Sequence, residues 1–226
     1  IVRLLIAAKC EPAEVRDIFV SHQHMDHVGG LEPLLLWSII KALRRQRHPP
    51  SDETRVYADR RVLADIEELF GAIATAVPRL FSDKLRWVEA ADGEPAELRG
   101  GARLTTFLVD HEPHGAGAMG CMVERDGARL VYSGDTRPTK QLIEAARGAD
   151  VLIHESGGLD AHAAEVHQQG HSTAGDAARV AAAAGVGRLI LTHVPAERLA
   201  EPMLAEARAA FSGPVEIASD LGIIEV

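Results

Sequence analysis

The stretch VSHQHMDHVGG, residues 20–30, decides how this chain is read. Three histidines and one aspartate fall within six positions, His22 to His27, directly after the apolar run DIFV and directly before a glycine pair. In an extended loop, residues two apart point the same way, so His22 and His24 can grip one ion together. Asp26 and His27 are neighbours and splay apart, which suits a second ion beside the first. Imidazole nitrogen with carboxylate oxygen fits Zn²⁺, and also Fe or Mn. A polar surface turn accounts for a lone histidine. This density of neutral imidazoles needs a reason, and metal supplies one. Gly29 and Gly30 let the backbone turn sharply into the next helix.

Outward from that loop, short apolar runs alternate with helical patterns. DIFVS (17–21) reads as a buried strand, LEPLLLWSIIKALRRQRH (31–48) as a helix stopped by Pro49-Pro50, RVYA (55–58) as a strand and 59–77 as a second helix. KLRWVEA and ARLTTFLVD are strands. MGCMVERDGARLVYSGD is a hairpin around the primed-turn pair Asp126-Gly127. KQLIEAARG is a helix ending at glycine. DVLIHES and RLILTHV are strands, and between them STAGDAARVAAAAGVG is a helix with Ser172 or Thr173 as N-cap and Asp176 in its first turn. A helix over 196–211 and the strands VEIAS and GIIEV close the chain. This order indicates an α/β protein. His22, His111, Asp135, His154 and His193 all sit at strand ends, where α/β folds place their chemistry along one sheet edge.

The 226 residues carry a formal net charge of -9, which argues against a general nucleic-acid coat. Cys10 and Cys121 form no CxxC and no disulfide framework, which fits a reducing, cytoplasmic setting. No run is long and apolar enough to span a bilayer, and no signal peptide is visible. Lys41, Arg44, Arg45 and His48 share one helical face, read as a solvated helix end in preference to a nucleic-acid contact. Met119, Cys121 and Met122 are read as packing residues, and His162 and His167 as exposed members of a polar loop bordering the site.

HxHxDH resembles the signature of the metallo-β-lactamase superfamily. VDHEPHG with GCMVERDGARLVYSGDTRP resembles the stretch carrying that family's third histidine and bridging aspartate. ADVLIHES, HSTAGDAARVAAAAGVGRLILTHVP and VEIASDLGIIEV resemble the C-terminal half of its ribonuclease Z-like branch. The resemblance covers about residues 9–226 and is faint over 49–100. It implies a four-layer αββα sandwich in a single domain, residues 1–226, with the family's N-terminal strands missing, because the chain starts inside the helix that comes after them.

Carried over residue by residue, the resemblance implies that His22, His24 and His111 hold one metal, that Asp26, His27 and His193 hold the second, and that Asp135 bridges both. His111 follows its strand directly and is preferred as third histidine; His114 has the family's spacing to Gly120 and is the alternative. On their own, Asp135 could be a turn aspartate, His193 a core histidine and His171 a residue ahead of a helix. By the likeness, His171 faces the scissile bond and donates to the leaving oxygen, Glu155 orients His171, and Asp26 orients or deprotonates the nucleophile. The implied cofactors are two Zn²⁺, with Mn²⁺ or Fe as alternatives.

Two dications against Asp26 and Asp135 leave such a pocket net positive, so an anionic ester is drawn in despite the acidic exterior. The expected activity is hydrolysis of phosphodiesters or related anionic esters. Arylsulfatase, lactonase or thioesterase chemistry on the same scaffold is the alternative, followed by metal binding without turnover and by an oxygen-reducing di-iron site. Ribonuclease Z proper carries a tRNA-gripping arm between the strands that here meet in the tight ERDGA turn. A small substrate is therefore favoured over nucleic acid, no membrane partner is expected, and a homodimer stays open. VDHEPHG leans toward the arylsulfatase-like group.

Overall fold

The computed structural model describes residues 1–44, 53–73, 77, 84–111 and 117–226, with backbone only at 42 and 43. The chain forms two compact units, Ile1–Ala90 and Ala91–Val226.

In the first unit, β1 (Asp17–Phe19), β2 (Thr54–Ala58) and β3 (Leu85–Glu89) form a parallel sheet in the order β1-β2-β3. Its helices are α1 (Val2–Ala7), α2 (Met25–Val28), α3 (Leu31–Arg44) and α4 (Arg60–Ala72). Leu31, Leu35 and Ile39 on α3, and Val62, Ile66 and Phe70 on α4, recur every fourth residue and so form one stripe on each helix. These stripes meet Val20, Val56 and Ala58 in the unit's core. Asp59 caps α4 by accepting from the Arg61 N–H at 2.8 Å.

The second unit holds a seven-stranded sheet in the order β10-β9-β8-β7-β6-β5-β4. The strands are β4 (Pro95–Glu97), β5 (Arg103–Leu108), β6 (Met119–Arg125), β7 (Ala128–Tyr132), β8 (Val151–Glu155), β9 (Arg188–Thr192) and β10 (Val215–Ile217). Asp126 and Gly127, both at positive φ (52° and 89°), make the two-residue turn between β6 and β7. That is the primed hairpin geometry expected from Asp-Gly. The strands β7 to β10 run parallel, while β5 and β6, and β6 and β7, are antiparallel. Hence β5, β7, β8 and β9 point the same way and end along one edge.

Four helices complete this unit: α5 (Lys140–Ala145), α6 (Ala163–Gln168), α7 (Ala174–Ala184) and α8 (Ala200–Ala210). Thr173 is the N-cap of α7 in a reciprocal capping box with Asp176, and Gly185 ends the helix at φ 65°. The alanine face of α7 (Ala174, Ala177, Ala178, Ala181) is fully buried, and its small side chains let Met203 and Ala207 of α8, and Leu152, Leu189 and Leu191 of the sheet, close in on it. Met119 and Cys121 are buried and Met122 packs against this core, as expected.

Four elements differ from the sequence reading. Met25–Val28, inside the stretch read as an extended loop, forms the helical turn α2 and carries Asp26 and His27. GIIEV is not a strand: it has no pairing partner among the described residues, and Ile223 is 91% exposed. The polar loop contains a helix, α6, anchored by buried Val166. The short edge strand β4, with Pro95 in it, was not anticipated; proline is tolerated there because an edge leaves one row of N–H groups unpaired anyway. Arg45 and His48 lie outside the described residues; Lys41 is ion-paired with Glu11 and Arg44 is exposed. Among the described residues no helix is long and apolar enough to cross a membrane.

Candidate metal centre

In the first unit, β1 delivers the chain to the signature loop. The Val20 N–H still bonds the Tyr57 carbonyl at 2.9 Å; beyond it the backbone leaves the sheet, and His24 becomes the N-cap of α2. Gly29 sits at φ -62°, so its requirement is space and not handedness: an added Cβ would stand 2.5 Å from the Met25 carbonyl oxygen.

The four donors fall into two pairs. His22 Nε2 and His24 Nδ1 are 3.0 Å apart, and His27 Nε2 and Asp26 Oδ2 are 3.5 Å apart. Two ligands of a tetrahedral zinc at about 2.0–2.1 Å stand about 3.3 Å from each other, so both pairs have the spacing of ligand atoms converging on a cation. His22 and His27 also approach each other, with ring centroids 4.1 Å apart. Ser21, which the sequence reading passed over, places its hydroxyl 3.1 Å from His22 Nδ1 and 3.4 Å from His27 Nδ1. A ring that donates its Nδ1–H to that hydroxyl keeps its lone pair on Nε2, as a metal-binding histidine requires. Its only cue was its place directly before the motif.

In the second unit, the common strand edge carries the remaining candidates. His111 lies three residues beyond β5, Asp135 three beyond β7, Glu155 is the last residue of β8, and His193 follows β9 directly. His193 adopts φ 56°, a left-handed conformation costly for a non-glycine residue and concentrated at functional sites. Its Nε2 lies 3.5 Å from Asp135 Oδ2. Donor atoms of His111, Asp135 and His171 all lie within 4.8 Å of one another, as do those of Glu155, His171 and His193. His111 and Asp135 are buried, at 3% and 2% exposure. His114 lies outside the described residues.

His111 Nδ1 is 2.9 Å from the Gly170 carbonyl oxygen. A carbonyl only accepts, so Nδ1 carries the proton and Nε2 keeps its lone pair for a metal. Glu155 is a fully buried hub. Its Oε1 accepts from the Thr136 N–H, the Ser172 N–H and His171 Nδ1, each at 3.0 Å, whereas Oε2 has no hydrogen-bond partner among the described residues. The His171 and His193 rings stack at 5.1 Å, and His111 and His171 lie 5.0 Å apart. His154 points elsewhere. It is fully buried, bonds the Glu155 carbonyl through Nδ1 at 2.7 Å, and burial pushes its pKa below the ordinary histidine value. It is a neutral core residue.

The polar loop is more ordered than the sequence reading held. His162 is exposed as expected, but His167 Nε2 bonds Asp176 Oδ2 at 2.6 Å. Burial alone would raise the Asp176 pKa; hydrogen bonds from His167, Arg179 and Thr173 outweigh it and bring the group down to about 2.

Sequence comparison matches the Beta-lactamase superfamily domain to residues 5–194 of this chain. The chain belongs to that superfamily. Ribonuclease Z of Myxococcus xanthus is 46% identical over 136 residues, 59% of this chain and 41% of that protein, so the chain matches well under half of that relative's length. An uncharacterised protein of Mycobacterium tuberculosis is 34% identical over 212 residues, 91% of this chain and 71% of that one. The crystal structure of the metallo-β-lactamase fold protein YhfI from Bacillus subtilis superposes with a TM-score of 0.76 at 23% identity, covering 97% of this chain and 82% of that one, which establishes the shared fold. Both histidine-carboxylate groups are donor sets that suit a divalent cation.

Proposed function

We propose that the chain is a dinuclear, zinc-dependent hydrolase of phosphodiesters or related small anionic esters. In this reading His22, His24 and His111 take one cation, Asp26, His27 and His193 take the second, and Asp135 serves both. Bound there, the cations supply Lewis-acid polarisation of the ester and acidification of the attacking water.

The observation that carries the reading is the His171–Glu155 pair. With Nδ1 held against the buried carboxylate at 3.0 Å, His171 is oriented by Glu155, and in this reading it passes a proton from Nε2 to a departing oxygen. Glu155 cannot turn away, because two backbone N–H groups fix the same oxygen. Asp26, 65% exposed, keeps Oδ2 near His27 at 3.5 Å, and in this reading it orients or deprotonates the nucleophile. A proton donor for the leaving oxygen matters most for an ester with a poor leaving group and least for a strained lactam. A small substrate is favoured because β6 and β7 are joined by a two-residue turn, leaving no arm at that position, and because the net charge of -9 opposes a polyanion.

The test is hydrolysis of bis(p-nitrophenyl) phosphate and of an alkyl phosphodiester against panels of lactones and aryl sulfates. His171→Ala should lower diester turnover by about 10²-fold or more, with the larger loss on the alkyl ester. Equal rates for wild type and variant on both diesters, or turnover confined to neutral acyl substrates, would overturn the assignment in favour of the lactonase or thioesterase reading.

A further inference from the structure

Segment 160–171 of the second unit brings its last residue, His171, to Glu155, and reaches His111 through a backbone group, the Gly170 carbonyl on Nδ1. Gly170 has φ 86°, and an added Cβ would stand 2.2 Å from the His111 carbonyl oxygen and 3.0 Å from its Nδ1. The carbonyl is thus pressed against the ring at a position only glycine fits.

Arg179, Thr173 and Glu206 anchor the segment's start at Asp160, and two further side chains hold its end beside His111. His167, one residue from the end of α6, bonds Asp176 in the first turn of α7 at 2.6 Å. Arg137 donates from Nε to the His167 carbonyl at 2.5 Å and from Nη1 to Asp110 Oδ1 at 3.1 Å and the His111 carbonyl at 3.5 Å. One guanidinium therefore ties the segment to the two residues that carry the His111 ring, and the backbone N–H of Arg137 bonds the Asp110 carbonyl at 2.8 Å. Asp176 is itself fixed by Arg179, at 2.7 Å, and by the capping box.

We propose that Arg137 and His167 are positioning residues that latch segment 160–171 so that the Gly170 carbonyl fixes His111 as the Nδ1–H tautomer with Nε2 presented to metal. The relevance to metal rests on the functional reading above; the tautomer does not. Without the latch the carbonyl drifts, the ring samples both tautomers, and one of the two presents a protonated nitrogen to the cation. The acceptor of the latch stays a carboxylate at every working pH, because Asp176 titrates at about 2.

The deciding measurement is the long-range ¹H–¹⁵N correlation spectrum of metal-free, ¹⁵N-labelled full chain, with His111 assigned by the loss of its signals in His111→Ala. Wild type should show a protonated Nδ1 and a bare Nε2. In His167→Ala the two nitrogens should move toward averaged shifts, and zinc affinity by chelator competition should fall about tenfold or more. His167→Gln, whose amide can still donate to Asp176, should recover most of both. Arg137→Ala provides an independent second variant. An Nε2–H tautomer in wild type, or His167→Ala and Arg137→Ala spectra superimposable on wild type, would overturn the inference. Failure of wild type to bind zinc would overturn the functional reading alone, since the tautomer is read without metal.

Discussion

His171 Nδ1 lies 3.0 Å from Glu155 Oε1, with the carboxylate wholly buried and the ring 17% exposed. The carboxylate is thus inside and the imidazole partly outside, the arrangement of a ring oriented by a fixed acceptor. Glu155→Gln removes the charge that favours a protonated ring while keeping an oxygen for the backbone donors. Diester turnover should fall about 10- to 100-fold, less than for His171→Ala. The loss should be steeper for an alkyl leaving group than for p-nitrophenol. A leaving-group series run on wild type and variant reads this directly, and parallel lines would argue that Glu155 serves packing alone.

Asp135 is the candidate with the most to lose. It is 2% exposed and approaches His193 at 3.5 Å. If it serves both cations, Asp135→Ala should reduce bound zinc from about two per chain to one or fewer, and hydrolysis should drop below detection. Chelator treatment of wild type should do the same, reversibly on adding zinc back. Elemental analysis of dialysed protein is the check, and full metal content in the variant would remove Asp135 from the ligand set.

How much of this could be seen in the sequence depended on how local each cause was. HxHxDH and the Asp126-Gly127 turn each act within a few residues, so spacing revealed them; the start of α7 was placed to within one residue, with Ser172 and Thr173 both open, and the structure decides for Thr173 with a capping box to Asp176. The strands came from periodicity, whereas the gathering of their ends along one edge was inferred from the fold class. Segment 160–171 did not: its helix is short and polar, and the partners that define it are distant in the chain, 59 residues for Gly170 and His111 and 30 for Arg137 and His167. His167 therefore read as a surface residue. GIIEV failed for the opposite reason. Its apolar pattern suits a strand, but no neighbouring strand pairs with it among the described residues.

Asp176 links acid stability to the latch. Its carboxyl titrates at about 2 in the folded chain against an ordinary 3.8. A depressed carboxylate pKa stabilises the fold fully above the ordinary value and loses that contribution as pH falls through the folded value. The shift corresponds to about 2 kcal/mol. Asp176→Asn should therefore unfold at lower urea than wild type at pH 7, with the gap closing as both are titrated from about pH 4 toward pH 2. A gap independent of pH would mean the aspartate acts through shape alone.

The two cysteines should separate cleanly by reactivity. Cys121 lies in β6 at 6% exposure, and burial pushes its thiol up to about 12, so almost no thiolate forms at neutral pH. Cys10 is exposed and makes a long 3.8 Å contact to the Ala8 carbonyl. A thiol reagent near neutral pH should therefore add about one label per native chain, at Cys10, and a second only after denaturation in urea. Peptide mapping of the labelled protein locates each adduct. Rapid labelling of Cys121 in the native chain would mean that the sheet around β6 opens on the timescale of the reaction, which the packing of Met119 and Phe107 beside it opposes.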